Sequence, residues 1–540
     1  METTTSEIHV EELTAAREGG TLVAVREPGE YVAGHVPGAV LIPMGEPANR
    51  LGEINKTAPV FVTCASGNWS GAMTDLTIVP IETPTLGDRS YVVHDGEVAF
   101  VVDPQRDIDR VLAILEEHAV RLTDVFETHI HNDYVTGGLA LAQRTGAAYH
   151  VNADDEVSFE RTAIGDGEIV EVGPRMRVTA ISTPGHTFTH LSYALSDASP
   201  DAASGVGAAG VDSSVGVFSG GSLLFGATGR PDLLGEEHTD ALARRQHASA
   251  HRLVGLLPAE ADVFPTHGFG SFCAATQSDA TESTIGQEKA SNPVLTQDEE
   301  TYVRELVAGL GAWPSYYVHM APANSEGPSE PDLSPPTVAD ASELRRRVEA
   351  GEWVIDLRNR TAFAAGHAPG TLNFGIDGGF ATYLGWLITW GTPVTLLGET
   401  PEDVAEAQRE LVRIGIDRLA AHATGGPENW ATGELSTFPT ATFADLEQVR
   451  HHREVVILDV RRADEYRSTR IKGAHNIPIH ELPGRVAEVP VGEVWVHCAS
   501  GYRASIAASL IDASGRTPVT VDDSFENAEK VGLHLVGPHA

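Results

Sequence analysis

The apolar and polar positions of the 540-residue chain fall into short β-branched runs, polar helical stretches and Gly/Pro turns. One such arrangement occurs three times. The first copy runs from Leu22 through Arg26 and Tyr31 to a turn at Gly38. The middle copy runs from Val354 through Asp356 and Arg358 to Phe363 and Gly370. The third runs from Val456 through Asp459 and Arg461 to Glu465, Tyr466 and a turn over 473–478. Each β-branched run suits a buried parallel strand. In the first and third copies a second apolar run leads straight into a cysteine, Cys64 or Cys498, and an Ala/Ser-rich, helix-compatible segment follows. Strand, loop and helix in alternation predict α/β units with parallel sheets.

A different pattern fills about 80–300. Apolar strands at 90–94 and 98–103 precede a helical stretch from Arg110 to His118, and a further strand leads into His129, His131, Asp133 and Tyr134. The Ala/Gly/Ser-rich stretch from Asp197 to Gly216 reads as a flexible inserted loop. The Pro/Ser/Glu-rich run over 321–336 reads as a linker. The expected organisation is a truncated module over 1–76, a distinct domain over 77–320, the linker, a module without a cysteine over 337–436, and a module carrying Cys498 over 437–540. That agrees with the roughly three or four domains expected of this length.

Charge narrows the partners. The 76 acidic residues against 37 basic ones give a net −39, a field that repels phosphate backbones and argues against nucleic acid. Three cysteines cannot form a disulfide framework and suit a reducing cytoplasm. No run approaches the ~20 apolar residues of a membrane span, and the first residues show neither a basic n-region nor an apolar h-region. A cytoplasmic protein without a membrane partner is expected, with homo-oligomerisation left open.

Cys498 is the sharpest chemical feature. It leaves a strand and enters the loop Cys498-Ala499-Ser500-Gly501-Tyr502-Arg503. Inward-pointing N–H groups and a helix N-terminus favour the thiolate, which is the nucleophile. Ser500 and Gly501 shape the loop as a substrate cradle, and Arg503 closes it with a permanent cation. Cysteine phosphatases use a related loop, but one longer between Cys and Arg. The shorter loop suits a cysteine persulfide. The recurring pattern resembles the rhodanese sulfurtransferase family over about 8–75, 337–435 and 440–535. The matching residues are Asp459 to Arg461, Glu465-Tyr466, Gly473 to Pro478 and the Cys498 loop. The resemblance implies sulfane-sulfur transfer at Cys498. Cys64 is a second catalytic candidate, in a copy where Trp69 stands in place of the arginine. The middle copy has no cysteine and implies a structural role.

Histidines mark a second site. His129 and His131 lie two apart after a strand, His186 follows in Pro184-Gly185-His186-Thr187, and His267 in Thr266-His267-Gly268. Imidazoles at strand ends can converge on one ion and leave a position open for water. These motifs, with Asp133 and Gly229-Arg230-Pro231-Asp232, resemble the metallo-β-lactamase fold over about 78–290, especially its glyoxalase-II and persulfide-dioxygenase branches. The resemblance implies an αβ/βα sandwich with metal at the strand ends, and, for the second branch, iron and glutathione persulfide. Two positions depart from the family: Tyr134 replaces a histidine, and Gly221 replaces the metal-binding aspartate. A single divalent ion, iron or zinc, is therefore expected on His129, His131 and His186, with Asp133 and His267 as outer or weak ligands. Arg230 is a candidate contact for an anionic thiol substrate.

The fold class expected is α/β multidomain: a metallo-β-lactamase sandwich with three rhodanese-like modules, the first truncated. The leading reading is a sulfur-metabolism enzyme. Its metal domain acts on a persulfide or thiol ester, and Cys498 transfers sulfur from donors such as glutathione persulfide or thiosulfate. The alternatives are a glyoxalase-II-type hydrolase, or a degenerate metal domain scaffolding a sulfur carrier or sensor.

Overall fold

The computed structural model describes residues 21–24, 40–41, 60–63, 76–198, 211–276, 278 and 280–537. The chain divides into two compact units, Met1–Thr77 and Ile78–Ala540. In the first, β1 (Thr21–Ala24), β2 (Val40–Leu41) and β3 (Val60–Thr63) form a parallel sheet of order β2-β1-β3.

The second unit opens with two facing sheets. One holds β4 (Thr77–Thr83), β5 (Asp88–His94), β6 (Val98–Val102), β7 (Arg121–Phe126), β8 (Ala148–Asn152) and β9 (Thr162–Ile164), in that order. Its helices include α1 (Asp109–Glu117) and α2 (Gly138–Thr145). The other holds β10 (Ile169–Val172), β11 (Met176–Ser182), β12 (Leu191–Asp197), β13 (Ser214–Gly220) and β14 (Asp262–Pro265), with α3 (Thr239–Leu256) before the last strand. Every residue of β6 is buried, as its unbroken apolar run requires of a strand covered on both faces. Aromatic rings lock the two sheets together, Phe100 against Phe218 at 5.8 Å and Phe126 against Tyr193 at 5.0 Å.

Two expectations are corrected here. Asp197 ends β12 and residues 214–216 begin β13, so the flexible loop expected from Asp197 to Gly216 is strand at both ends; residues 199–210 lie outside the described residues. The expected linker begins inside a helix, α4 (Tyr317–Glu326). Its buried residues Tyr317, Met320 and Asn324 recur on one face, a periodicity masked by the Pro- and Ser-rich composition.

The middle module is a parallel sheet of β15 (Trp353–Asp356), β16 (Leu372–Asn373), β17 (Val394–Gly398) and β18 (Ala421–Thr424), with α5 (Phe380–Leu387) and α6 (Pro401–Arg413). The last module contains β19 (Thr440–Ala441), β20 (Val456–Asp459), β21 (Arg470–Ile471), β22 (His475–Asn476), β23 (Val494–His497), α7 (Tyr502–Ala513), β24 (Pro518–Val521) and β25 (Leu535–Val536). The order β16-β15-β17-β18 is repeated as β22-β20-β23-β24. Side chains repeat as well. Arg358 embraces Asp356 and donates to Gly366 O, while Arg461 embraces Asp459 and donates to Thr469 O. Asn373 and Asn476 each bridge two carbonyls of their own Asp-Arg turn. The middle and last copies of the repeat read from sequence thus share one structure, although the middle one lacks a cysteine.

The middle module also grips the two-sheet domain. Arg413 donates to Asp107 at 2.7 Å, and Val135 N–H donates to Arg413 O at 2.7 Å. Among the described residues, no helix is long and apolar enough to cross a membrane.

Candidate functional site

The ends of β6, β7, β11, β13 and β14 meet at one buried centre. Asp103, just past β6, has φ +50°, a left-handed conformation that Asp tolerates better than most residues. That turn aims its carboxylate across the centre. It accepts from Thr128 N–H and Oγ1, both at 2.7 Å, and from the Thr266 hydroxyl. Asp103 therefore holds together the loops that carry His129 and His267.

The hydrogen-bond network assigns the tautomers. The Thr128 hydroxyl proton goes to Asp103, so Thr128 Oγ1 accepts from His129 Nδ1 at 2.9 Å. His186 Nδ1 donates to Arg230 O at 2.8 Å. His267 Nδ1 lies 2.9 Å from Asp88 Oδ1 and 3.2 Å from Asp133 Oδ2. Each ring thus has Nδ1 committed to an outer partner and Nε2 turned the other way, as metal-ligating histidines do. His267 Nε2 and His129 Nε2 approach to 3.4 Å. His131 is oriented in reverse: Nε2 faces Tyr134 Oη, Asp103 and Glu127 at 3.0–3.3 Å, leaving Nδ1 inward.

Among the described residues, His186 Nε2 and His131 Nδ1 are buried without a hydrogen-bond partner. An unmet buried polar atom costs about 1–3 kcal/mol, and a cation among the imidazoles supplies the partner. The donor set fits one divalent ion. Ligand atoms of His129, His131 and His267 lie within 4.8 Å of one another. So do those of His186, His267 and Cys273, and those of Asp88, Asp133 and His267. His267, expected as an outer or weak ligand, is the residue these three groups share.

The charges are balanced in pairs. Burial opposes the charged form of His131, but Asp103 and then Glu127 outweigh it and raise its pKa to about 9. Burial likewise opposes charge on His267, and Asp133 with Asp88 more than reverses that. His186 is pushed down to about 3 by burial and by His267, so it is a neutral imidazole with an available lone pair.

Gly221 stands directly against this centre. A Cβ there would meet His186 Cδ2 at 2.3 Å, so the ring occupies the volume a side chain would need. Arg230 is not presented to a substrate. It is buried, paired to Asp232 at 2.7 Å through Nε, and donates to Gly311 O and Phe272 O. The candidate substrate contact is instead an internal brace; the adjacent Asp232 satisfies the guanidinium, which the sequence motif could not reveal.

Cys498 directly follows β23 and is buried. Gly501 N–H donates to its Sγ at 3.1 Å. Gly501 has φ +97°, and a Cβ there would strike Asp522 Oδ1 at 2.1 Å, so the turn into α7 requires glycine. Arg503 forms a fork with Glu465, at 2.6 and 2.9 Å. Beside the loop, Tyr502 Oη donates to Gly375 O at 2.8 Å, and Tyr383 of α5 lies near Arg503 and Cys498. The module without a cysteine thus roofs the cysteine loop. Cys64 lies outside the described residues.

The model of the rhodanese-like domain matches residues 9–100 and 442–530, and that of the metallo-beta-lactamase superfamily matches residues 86–201. The chain joins rhodanese-like domains to a metallo-β-lactamase domain. A solved metallo-beta-lactamase from Staphylococcus aureus subsp. aureus COL is 25% identical with a TM-score of 0.56, covering 65% of this chain and 98% of that one. The hydroxyacylglutathione hydrolase of Rhodopseudomonas palustris is 32% identical over 128 residues, 23% of this chain and 48% of that protein. The persulfide dioxygenase ETHE1, mitochondrial, of Homo sapiens is 26% identical over 223 residues, 41% of this chain and 74% of that protein. The chain spans about half the length of the curated hydrolases it matches.

Within the metallo-β-lactamase domain, sequence reasoning passed over Asp88, Asp103, Glu127, His190 and Cys273. His190 has both nitrogens occupied: Nδ1 faces Thr183 Oγ1 at 2.9 Å, and Nε2 accepts from Gly221 N–H at 3.0 Å. It holds the Gly221 backbone in place. Asp88, Asp103 and Cys273 stand alone in the sequence, without the close spacing that marks His129 and His131, while Glu127 lies two residues before His129.

Proposed function

We propose that this chain is a sulfur-metabolism enzyme in which the metallo-β-lactamase domain acts on a small thiol-linked substrate such as glutathione persulfide, and Cys498 carries sulfane sulfur. The observation that carries the reading is the Gly501 N–H pointed at Cys498 Sγ from the start of α7, an arrangement that favours a sulfur anion. Cys498 attacks the outer sulfur of the donor. A Cys498 Sγ–S bond forms as the donor S–S bond breaks, and the donor leaves as a thiolate, or as sulfite when it is thiosulfate. Gly501 N–H and the helix terminus hold the resulting persulfide anion, and Ser500 lines its cradle. Arg503, braced by Glu465, keeps the loop closed.

In the metallo-β-lactamase domain, His129, His131, His186 and His267 would hold one iron or zinc ion, which supplies a Lewis acid and a water of lowered pKa. Asp88, Asp133 and Thr128 orient these rings, and Asp103 fixes the loops that carry them. A hydrolytic reading of the glyoxalase-II type is favoured by the similarity to hydroxyacylglutathione hydrolases. Metal analysis with two assays separates the readings. Oxygen uptake on glutathione persulfide by iron-loaded protein supports the first, and thioester cleavage by zinc-loaded protein without such uptake supports the second. Thiosulfate-to-cyanide transfer that survives Cys498→Ser would refute the role of Cys498.

A further inference from the structure

Cys273 is a buried thiol that neither reading uses. The chain reaches it through Gly268 and Gly270, both at positive φ, which turn it back toward the histidines. Its carbonyl accepts from Arg230 N–H at 2.8 Å, and the Arg230 carbonyl accepts from His186 Nδ1 at 2.8 Å. One residue therefore fixes both Cys273 and His186. Ligand atoms of Cys273, His186 and His267 lie within 4.8 Å of one another, all buried. A second observation points to a ligand there: His186 Nε2 is fully buried and has no hydrogen-bond partner among the described residues. The His186 ring fills the space that a side chain on Gly221 would take.

We infer that Cys273 is a metal ligand, its thiolate adding an anionic donor to the imidazoles of His186 and His267. The inference rests on the metal reading above and adds the chemical class of the ion. A thiolate beside imidazoles selects a borderline transition ion, such as zinc, iron(II) or cobalt(II), over magnesium or calcium. On binding, an Sγ–metal bond forms and the thiol proton leaves to water; no electron is transferred.

The test uses full-length protein stripped with a chelator and titrated with cobalt(II). The expected result is one ion per chain, with a thiolate-to-cobalt charge-transfer band in the near ultraviolet beside the d–d bands. The band should persist when Cys64 and Cys498 are both changed to Ser, which leaves Cys273 as the only thiol of the chain's three. It should vanish in Cys273→Ser and Cys273→Ala, with cobalt affinity down about tenfold or more and unchanged far-ultraviolet circular dichroism. Cobalt bound with d–d bands but no thiolate band in the double-serine protein overturns the inference alone. No bound cobalt overturns it together with the metal reading.

Discussion

The His186 ring lies where a side chain on Gly221 would be, with Cδ2 2.3 Å from the position of a Cβ. Gly229 presses from elsewhere, its own Cβ position being 2.7 Å from His186 Nδ1. The ring is wedged between two glycines, and its tautomer is fixed by Arg230 O. The lack of a side chain at position 221 and the seating of His186 are thus one structural fact. Gly221→Ala or Gly221→Asp should destabilise the metal-free protein by about 1–3 kcal/mol, the usual cost of forcing atoms into a packed site. Denaturant midpoints measure it. A midpoint equal to or above the parent's would mean that the ring moves freely.

Asn324 supports the metal loop from α4. Its amide donates to His131 O and Tyr134 O, each at 2.9 Å, and its oxygen accepts from Thr136 N–H at 2.9 Å. Asn324→Ala leaves these buried backbone groups unpaired, at about 1–3 kcal/mol for each that water cannot reach. The variant should lose at least about 2 kcal/mol of stability in urea and bind cobalt(II) more weakly. Asn324→Asp keeps the acceptor but loses both donated bonds, so it should fall close to the alanine variant. Recovery of full stability in the aspartate variant would show that the acceptor alone matters.

The histidines at 129 and 131 were legible because two rings spaced two apart after a strand can face one point. The turn that carries Cys498 was legible because its glycine and arginine follow the cysteine within five residues. Asn324 was not, because a buried helical face lay under a composition that reads as linker. Cys273 was not either, since its neighbours His186 and Asp133 are remote in sequence and only the turns at Gly268 and Gly270 bring it to them. Arg230 is a related case: a motif names a guanidinium but not whether Asp232 already pairs with it. The repeated α/β pattern was read correctly even in the middle module, since strand runs and Asp-Arg turns are local.

The Arg503–Glu465 fork gives a pH dependence away from the metal centre. Burial pushes the Glu465 carboxyl up, and Arg503 with the Arg462 backbone outweighs it, holding the group below the ordinary value of 4.5. A carboxyl depressed in the folded state stabilises fully above its unfolded value and loses that contribution as pH falls through its folded one. Glu465→Gln should therefore be clearly less stable than the parent at neutral pH, and the difference should shrink as pH drops below 4.5. Chemical denaturation at both conditions checks the sign. A difference that widens in acid would contradict the pairing.

The roof over Cys498 yields the last prediction. Tyr502 follows Gly501, whose N–H holds the sulfur, and its ring packs on the middle module, where a Cβ on Gly378 would come within 2.3 Å of Cε2. Gly378→Val should push Tyr502 and the first turn of α7 away from the middle module. Displacing a positioned nucleophile by an ångström can cost about a hundredfold, so thiosulfate-to-cyanide transfer should fall by about ten- to a hundredfold in kcat, with cobalt(II) binding unchanged. Tyr502→Phe removes only the bond to Gly375 O and should lose much less, since a single neutral hydrogen bond is worth about 0.5–1.5 kcal/mol. Equal activities for Gly378→Val and the parent would mean that the middle module covers the loop without setting its geometry.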